Sequence, residues 1–183
     1  MLYEFARGIY RQSRKIVRSL AYRSRWRGKR FRISPTSWIS MRATIRAERK
    51  SMIEIGNDCE IHPFSMILSY GGNIKIGDRV SLNPFSIIYG HGGIEIGSDV
   101  RIAASVTIIP ANHIPPSDGV RLADSGLTMR GIKIGDNVWI GTGARILDGV
   151  TIGTNAVIGA GSVVTHDVAP NSTVVCAPAK KVS

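Results

Sequence analysis

Aliphatic residues return at every sixth position along the C-terminal part of the chain. Small or β-branched residues stand four positions after each of them, and glycine follows most of them directly. The aliphatic series consists of Ile134, Ile140, Ile146, Ile152, Ile158 and Val164. A period of six matches neither the 3.6-residue turn of a helix nor the two-residue alternation of a long strand. It predicts short strands joined by tight turns.

The same pattern starts upstream at Ile55 and continues to Val106. Three short strands make one triangular coil, and stacked coils bury their aliphatic residues in a continuous column. We therefore predict an all-β protein, built as a parallel β-helix of hexapeptide repeats. Segments such as Gly135-Asp136-Asn137 and Gly77-Asp78 are expected to form the turns, because Gly, Asn and Asp tolerate unusual backbone conformations.

A polar segment, residues 111–131, interrupts the repeat and contains Pro115 and Pro116. The simplest interpretation is one loop extruded from a rigid prism, and long loops on rigid scaffolds tend to carry function. Cys59 occupies the small inward position of its repeat, which favours a place in the core over a reactive thiol. Cys176 is far away in sequence, so neither a disulfide framework nor a cysteine metal site is indicated.

The N-terminal segment, residues 1–33, follows another pattern. Apolar residues from Leu2 to Leu20 recur at helical spacing with arginine and lysine between them, which predicts a basic amphipathic α-helical arm. Such a helix either packs across the end of the prism with its charges in water or contacts an anionic membrane surface. Residues 34–183 then form the β-helix domain.

Composition sharpens this division. Residues 1–50 contain fifteen Lys and Arg against Glu4 and Glu48, so the net charge of +11 originates mainly in the arm. No apolar run reaches the roughly 18 residues that a membrane-spanning helix needs. The N-terminus lacks the short apolar stretch of an export signal, so we expect a cytoplasmic protein.

His113 stands where the regular repeat gives way to the loop. That position exposes it beside a groove, and an imidazole can accept the proton of a sugar hydroxyl that attacks a thioester. On position alone, a surface histidine without a role is the simpler interpretation.

Three further positions carry candidate chemistry. Strand alternation points Trp139 outward, where it covers a subunit interface or lines the apolar floor of a cofactor channel. The Asn83 amide either binds a substrate hydroxyl or stabilises its turn. The Thr165 hydroxyl, like the lysines of the tail, suits cofactor phosphates, although basic tails are commonly just solvated.

Two stretches carry a family resemblance: IKIGDNVWIG at residues 132–141 and IGAGSVVT at residues 158–165. They closely resemble the hexapeptide-repeat acyltransferases, in particular the galactoside, maltose and xenobiotic acetyltransferases. They are also similar to the O-acetyltransferases of capsule and lipopolysaccharide synthesis. The resemblance covers residues 55–180 and leaves out the N-terminal arm. It implies a left-handed β-helix and a homotrimer that binds acetyl-CoA between neighbouring prisms and requires no metal.

The resemblance also implies site residues. It makes His113 the catalytic base, Asn83 the acceptor-binding residue and Trp139 part of the cofactor channel. The backbone N–H of Thr142 matches a donor to the thioester carbonyl, as in an oxyanion hole. Further cofactor contacts fall on Ala160, Thr165 and Lys180.

The resulting prediction is an acetyl-CoA-dependent O-acetyltransferase that modifies a sugar hydroxyl in surface polysaccharide or lipopolysaccharide synthesis. The first alternative is an N-acetyltransferase acting on a nucleotide-linked amino sugar. A zinc hydro-lyase of the carbonic anhydrase type is disfavoured, because no pair among His62, His91, His113 and His166 has the short spacing of such a site. A nucleic-acid-binding module is disfavoured because the body of the chain carries no corresponding motif.

Overall fold

The computed structural model describes residues 30–48 and 50–182. Within them the chain forms short strands and a single 3-10 helix, which confirms the prediction of an all-β protein. The predicted helix between Leu2 and Leu20 lies outside the described residues. None of the described residues belongs to a helix with the length and apolarity that crossing a bilayer requires.

Three sheets, called A, B and C, form the sides of a parallel β-solenoid. Sheet A contains β1 (Phe31–Ile33), β4 (Ile53–Ile55), β7 (Ile74–Ile76), β10 (Ile94–Ile96), β15 (Ile132–Ile134) and β18 (Thr151–Ile152). Sheet B contains β2 (Trp38–Ile39), β5 (Glu60–Ile61), β8 (Ser81–Leu82), β11 (Arg101–Ile102), β16 (Trp139–Ile140), β19 (Val157–Ile158), β21 (Thr173–Val175) and the antiparallel β22 (Lys180–Val182). Sheet C contains β3 (Thr44–Arg46), β6 (Met66–Leu68), β9 (Ile87–Tyr89), β12 (Thr107–Ile108), β17 (Arg145–Ile146) and β20 (Val163–Val164).

The core is the predicted aliphatic column. Like residues stack on like in successive coils, as in the pairings of Ile76 with Ile96 and of Ile96 with Ile134. The series from Ile134 to Val164 is at most 3% exposed throughout. Cys59 is completely buried, which confirms its place in the core, and burial raises the pKa of its thiol. The thiol is therefore kept protonated and unreactive.

The turns differ from the prediction in one respect: the residue that takes the unusual backbone conformation is not always the predicted one. Asn137 has a positive φ of 53°, as expected, but in the other predicted turn it is Arg79, with φ of 55°, rather than Gly77. Gly77 is required for a different reason, because a Cβ there would lie 2.7 Å from the carbonyl carbon of Gly97 in the next coil. The absence of a side chain at Gly77 therefore permits neighbouring coils to approach closely, while the residues after it make the turn.

Three series of turns connect the sheets. We call them AB turns, BC turns and CA turns; in one coil they span residues 77–80, 83–86 and 90–93. Coils before the loop are longer than eighteen residues: Ile53 pairs with Ile74, and Ile74 with Ile94. The additional residues enlarge the CA turns.

The predicted loop leaves the prism at a CA turn without interrupting the stack. Ile94 still pairs with Ile132, thirty-eight residues later. Inside the loop, β13 (Asn112–His113) and β14 (Leu127–Thr128) pair as an antiparallel hairpin, and the 3-10 helix spans Leu122–Asp124. The predicted extruded loop therefore contains secondary structure of its own.

Candidate active site

His113 lies on the hairpin that projects from the prism. It faces Leu127 across the antiparallel pair, and its side chain is exposed. The neighbouring Asn112 pairs with Thr128. Because both strands of the hairpin start from the same CA corner, the imidazole is presented to solvent from a fixed position.

The base of this hairpin is held by a buried carboxylate that the sequence analysis did not single out. The Asp148 side chain is fully buried. It accepts hydrogen bonds from Thr128 Oγ1 at 2.9 Å, from Arg130 N at 2.7 Å and from Gly131 N at 3.2 Å. The Arg130 guanidinium lies 3.6 Å away. Asp148 therefore fixes the returning strand of the loop to the coil below it.

The BC turns carry a row of free backbone donors. Across the part of the chain that the structure describes, the N–H groups of Ala104, Thr142 and Ala160 have no acceptor. Each is the second residue of its turn, in successive coils. These stacked donors are therefore available to a ligand that lies along this edge of the prism.

In AB turns before the loop, the equivalent amide is satisfied by a side chain of the next coil: Asn57 N donates to Asp78 Oδ1 at 2.7 Å, and Ser98 N donates to Asp136 Oδ1 at 2.7 Å. In the two AB turns after the loop, Asp136 N and Thr154 N have no acceptor among the described residues. The BC turns near Thr142 lack such acceptors. The Thr142 N–H is therefore free to donate a hydrogen bond to a ligand, as its predicted role requires.

Trp139 lies on the outer face of sheet B, as strand alternation predicts, and is 57% exposed. Its strand neighbours are Arg101 and Val157. The indole thus stands beside the edge on which Thr142 and Ala160 present their free N–H groups. Together they combine an apolar ring with a line of donors, which suits a long ligand that contains amide groups.

Asn83 opens a BC turn, and its Nδ2 donates to the Ile102 carbonyl of the next coil at 2.8 Å. The amide therefore stabilises stacking of the coils. Among the described residues its Oδ1 has no donor and can still accept a bond from a ligand. Asn83 and the hairpin of His113 belong to different corners of one prism, and no side-chain contact joins them.

The remaining predicted cofactor residues lie near the C-terminal end of the solenoid. Thr165 is exposed, and its Oγ1 lies 2.8 Å from His166 Nδ1. Lys180 is exposed and starts β22, which pairs with β21 beside Val175. Both side chains are free to reach a charged group at this end of the prism.

An aromatic cluster beside the loop was missed by the sequence analysis. The Tyr70 ring lies 4.8 Å from that of Tyr89 and 4.7 Å from the imidazole of His91, measured between centroids. Burial and the neighbouring Tyr70 raise the pKa of Tyr89, and the buried Nδ1 of His91 has no hydrogen-bond partner in the described residues. A Cβ on Gly92 would lie 2.6 Å from the Met129 backbone, so this cluster abuts the base of the hairpin.

Within residues 30–48 and 50–182, no three His, Cys, Asp or Glu side chains are grouped so that they could hold a metal ion. The four histidines are distributed over the prism. His62 approaches Glu60 at 3.5 Å and packs against Trp38, and His113 stands on the hairpin.

Comparison with known proteins decides the family. The model of the bacterial transferase hexapeptide (six repeats) matches residues 131–166. A Schizosaccharomyces pombe protein named as an acetyltransferase is 37% identical over 151 residues, which cover 82% of this chain and 70% of that protein. The chain belongs to the hexapeptide-repeat acetyltransferases. Escherichia coli galactoside O-acetyltransferase is 35% identical over 138 residues, covering 73% of this chain and 66% of the relative.

Solved structures agree with this membership. A hexapeptide-repeat acetyltransferase from Vibrio cholerae, in complex with acetyl-CoA, superposes with a TM-score of 0.56 at 27% identity, covering 84% of this chain and 69% of that one. AntD, an N-acyltransferase from Bacillus cereus solved with dTDP and coenzyme A, superposes with a TM-score of 0.72 at 23% identity over 82% of each chain, and shows a common fold.

The protein is therefore an acyltransferase, and acetyl-CoA is its co-substrate. Hexapeptide-repeat transferases are generally trimers. The free N–H groups of Thr142 and Ala160, with Trp139 beside them, are chemically suited to the amides and the apolar carbons of the cofactor's pantetheine arm.

Proposed function

We propose that this acetyltransferase transfers the acetyl group of acetyl-CoA to a hydroxyl of a sugar, in the synthesis of surface polysaccharide or lipopolysaccharide. The observation that carries the proposal is His113, exposed on a hairpin whose base is fixed by a buried carboxylate. Relatives named galactoside O-acetyltransferase support the sugar hydroxyl as acceptor. The Tyr70 cluster beside the hairpin supports it further, because aromatic faces pack well against the apolar faces of sugars.

In the proposed mechanism, an unprotonated nitrogen of His113 accepts the proton of the acceptor hydroxyl while its oxygen attacks the thioester carbonyl. The Thr142 N–H donates to the oxyanion that forms. The C–S bond then breaks, and the coenzyme A sulfur takes the proton from the imidazolium. No acetyl-enzyme forms at any stage.

This mechanism requires a second subunit. The hairpin of His113 leaves a CA corner, whereas Thr142 and Asn83 lie on BC turns of the same prism. We propose a homotrimer of left-handed β-helices, in which the BC edge of one subunit faces the hairpin of its neighbour. His113 would thus act on acetyl-CoA held by Trp139 and Thr142 of the adjacent prism.

The test is His113→Ala. We expect turnover to fall by roughly 10²–10⁴-fold, while acetyl-CoA binding measured by calorimetry changes little. The matched control is Leu122→Ala, an exposed change in the same loop, which should leave turnover unchanged. Near-full activity of His113→Ala with the best acceptor would rule out His113 as the base.

A second candidate is N-acetylation of a nucleotide-linked amino sugar. It is favoured by AntD, which was solved with dTDP-4-amino-4,6-dideoxyglucose and coenzyme A. Pairs of acceptors that differ only in a hydroxyl or an amine at one carbon separate the two reactions. We expect thiol release from acetyl-CoA with the hydroxyl member, and faster release with the amine would favour the second candidate.

The location of the enzyme is part of the same proposal. We place it in the cytoplasm, with the basic arm, residues 1–33, at the anionic inner face of the membrane and residues 34–183 as the catalytic domain. Polybasic segments gain about 1 kcal/mol per Lys or Arg at such a surface. Fractionation of cells that produce the full chain, at low and high salt, tests this placement.

A further inference from the structure

A groove of about 760 Å³ runs along the outer face of sheet A, away from the strip of Trp139 and Thr142. Its floor is formed by the outward residues of successive strands. In order along the stack they are Arg32, Glu54, Lys75, Glu95, Lys133 and Thr151. Six strands at about 4.8 Å spacing make the floor roughly 24 Å long. We call it the sheet A groove.

Basic side chains dominate the sheet A groove. Two acidic residues, Glu54 and Glu95, oppose six basic ones. The basic residues are Arg30, Arg32, Lys50, Lys75, Arg130 and Lys133. Three of these came from the N-terminal fifty residues and three from the body of the chain, so a count along the sequence does not reveal the cluster.

The groove keeps a net positive charge, although Glu54 and Glu95 alternate with the basic residues along its floor. Arg32 lies 3.4 Å from Glu54, and Arg130 lies 3.6 Å from the buried Asp148. Within the described residues, however, Lys50, Lys75 and Lys133 have no ion-pair partner. A concave surface with a net charge concentrates the opposite charge near it, and here basic residues outnumber acidic ones by six to two.

Three further acidic residues lie at the AB edge of sheet A, where each already has a partner. Asp78 and Asp136 accept hydrogen bonds from backbone amides of the AB turns, and Asp99 binds Arg79 at 2.7 Å. That ion pair lowers the pKa of Asp99. The carboxylates of the AB edge are therefore occupied, whereas Arg30, Lys50 and Arg130 precede their strands at the CA edge of the same sheet.

The sheet A groove ends beside the candidate active site. Arg130, Gly131 and Gly149 line its upper end, and Arg130 and Gly131 donate their backbone N–H groups to Asp148, which anchors the hairpin of His113. A long ligand that lies in the groove is thereby led to the hairpin at the CA corner.

We propose that the sheet A groove binds an acidic segment of the acceptor glycan, so that the sugar to be acetylated is one unit of a negatively charged chain. This inference rests on the proposed function, since it names the class of acceptor. A planar lipid surface fits less well, because the floor is concave and its lining residues include no exposed aliphatic or aromatic side chain that could enter a bilayer.

The test uses the full chain and two charge variants on the same face. Lys75→Glu with Lys133→Glu reverses the two central bases, and Glu54→Gln with Glu95→Gln removes the two acids. The probes are fluorescent oligogalacturonate, which carries one carboxylate per sugar, and a neutral dextran oligosaccharide of equal length. Binding is measured by anisotropy at about 50 mM and about 300 mM salt.

We expect wild-type protein to bind oligogalacturonate more tightly than dextran and to lose affinity at the higher salt. The double lysine variant should bind at least about tenfold more weakly, and the double glutamate variant more tightly. If the double lysine variant binds oligogalacturonate as tightly as wild type does, the inference is overturned. It is also overturned if this variant binds phosphatidylglycerol vesicles more weakly than wild type but oligogalacturonate equally well.

The readout is independent of turnover. If these binding changes occur but no sugar is acetylated, the proposed function fails while the groove remains an anion site. If sugars are acetylated and neither variant changes oligogalacturonate binding, the groove inference alone fails.

Discussion

Replacement of Asp148 should release the hairpin that carries His113 while leaving the solenoid intact. Its carboxylate accepts three hydrogen bonds, from Thr128, Arg130 and Gly131, and all three donors belong to the returning strand of the loop. Asp148→Ala removes every one of these acceptors and leaves two backbone N–H groups without a partner. Asp148→Asn keeps the size of the side chain but loses its charge and one acceptor oxygen.

The magnitude follows from the burial of the carboxylate. Asp148→Ala leaves two part-buried backbone N–H groups without an acceptor, at about 1–3 kcal/mol each, and the Arg130 side chain left behind is exposed, so we expect a loss of about 3 kcal/mol. We expect about 1–2 kcal/mol for Asp148→Asn. A loss of about 3 kcal/mol raises the unanchored population of the hairpin by roughly a hundredfold. Since a displacement of about 1 Å can cost a hundredfold in rate, kcat should fall by about 10- to 100-fold.

Hydrogen exchange and kinetics together check this expectation. The amides of Arg130 and Gly131 should exchange much faster in Asp148→Ala, with acetyl-CoA affinity unchanged. Asp136→Ala is the matched control, because it removes a carboxylate that holds an AB turn far from the loop. If Asp148→Ala retains both amide protection and full kcat, the carboxylate does not hold the hairpin.

Three further outcomes are expected. Gly77→Ala should reduce the free energy of unfolding by about 1–3 kcal/mol and so lower the melting temperature, because the new Cβ would meet the Gly97 backbone at 2.7 Å. An unchanged melting curve would show that the coils can move apart. Because burial and Tyr70 raise the pKa of Tyr89 above its ordinary 10.0, stability should be complete below pH 10.0 and fall as the pH rises through the raised value. Ultraviolet titration checks this, and Tyr70→Phe should shift the Tyr89 transition downward. Trp139→Ala should raise the KM for acetyl-CoA about tenfold without changing thermal stability, since the ring is 57% exposed; a change only in the KM for the acceptor would contradict a cofactor role.

The repeat made most of the solenoid predictable. Ile134 and its successors mark the core because each strand contributes one inward aliphatic residue. Their six-residue spacing can be read from the sequence without knowing which residues contact each other in the fold. The first coil was included in the predicted domain, residues 34–183, but the repeat was traced only from Ile55. Ile33, Ile39 and Ile45 continue the six-residue spacing in strands β1 to β3, and Ser37 takes the small inward position four residues after Ile33. Glycine does not follow these three aliphatic residues, so the start of the repeat is harder to detect.

The site was less predictable than the fold. His113 could be placed at the edge of the prism, but its anchor, Asp148, gave no signal beyond the non-glycine Leu147 before it. The cluster of Tyr70 and His91 depends on the larger CA turns. Its only sequence signal is the spacing from Ile55 to Ile76, which is longer than eighteen residues. Charge clusters that form across strands, such as the sheet A groove, can be recognised only when the register between successive coils is known.

The uninterrupted pairing of Ile94 with Ile132 makes the hairpin an insertion that the scaffold does not need. Coils on either side of it would stack even if the intervening chain were shortened to a turn. The loop is therefore separable from the stacking of the coils and can be exchanged or redesigned as a cassette, while Thr142, Trp139 and Asn83 stay with the scaffold. Swapping this cassette between relatives should change how His113 is presented, while the melting behaviour stays with the host.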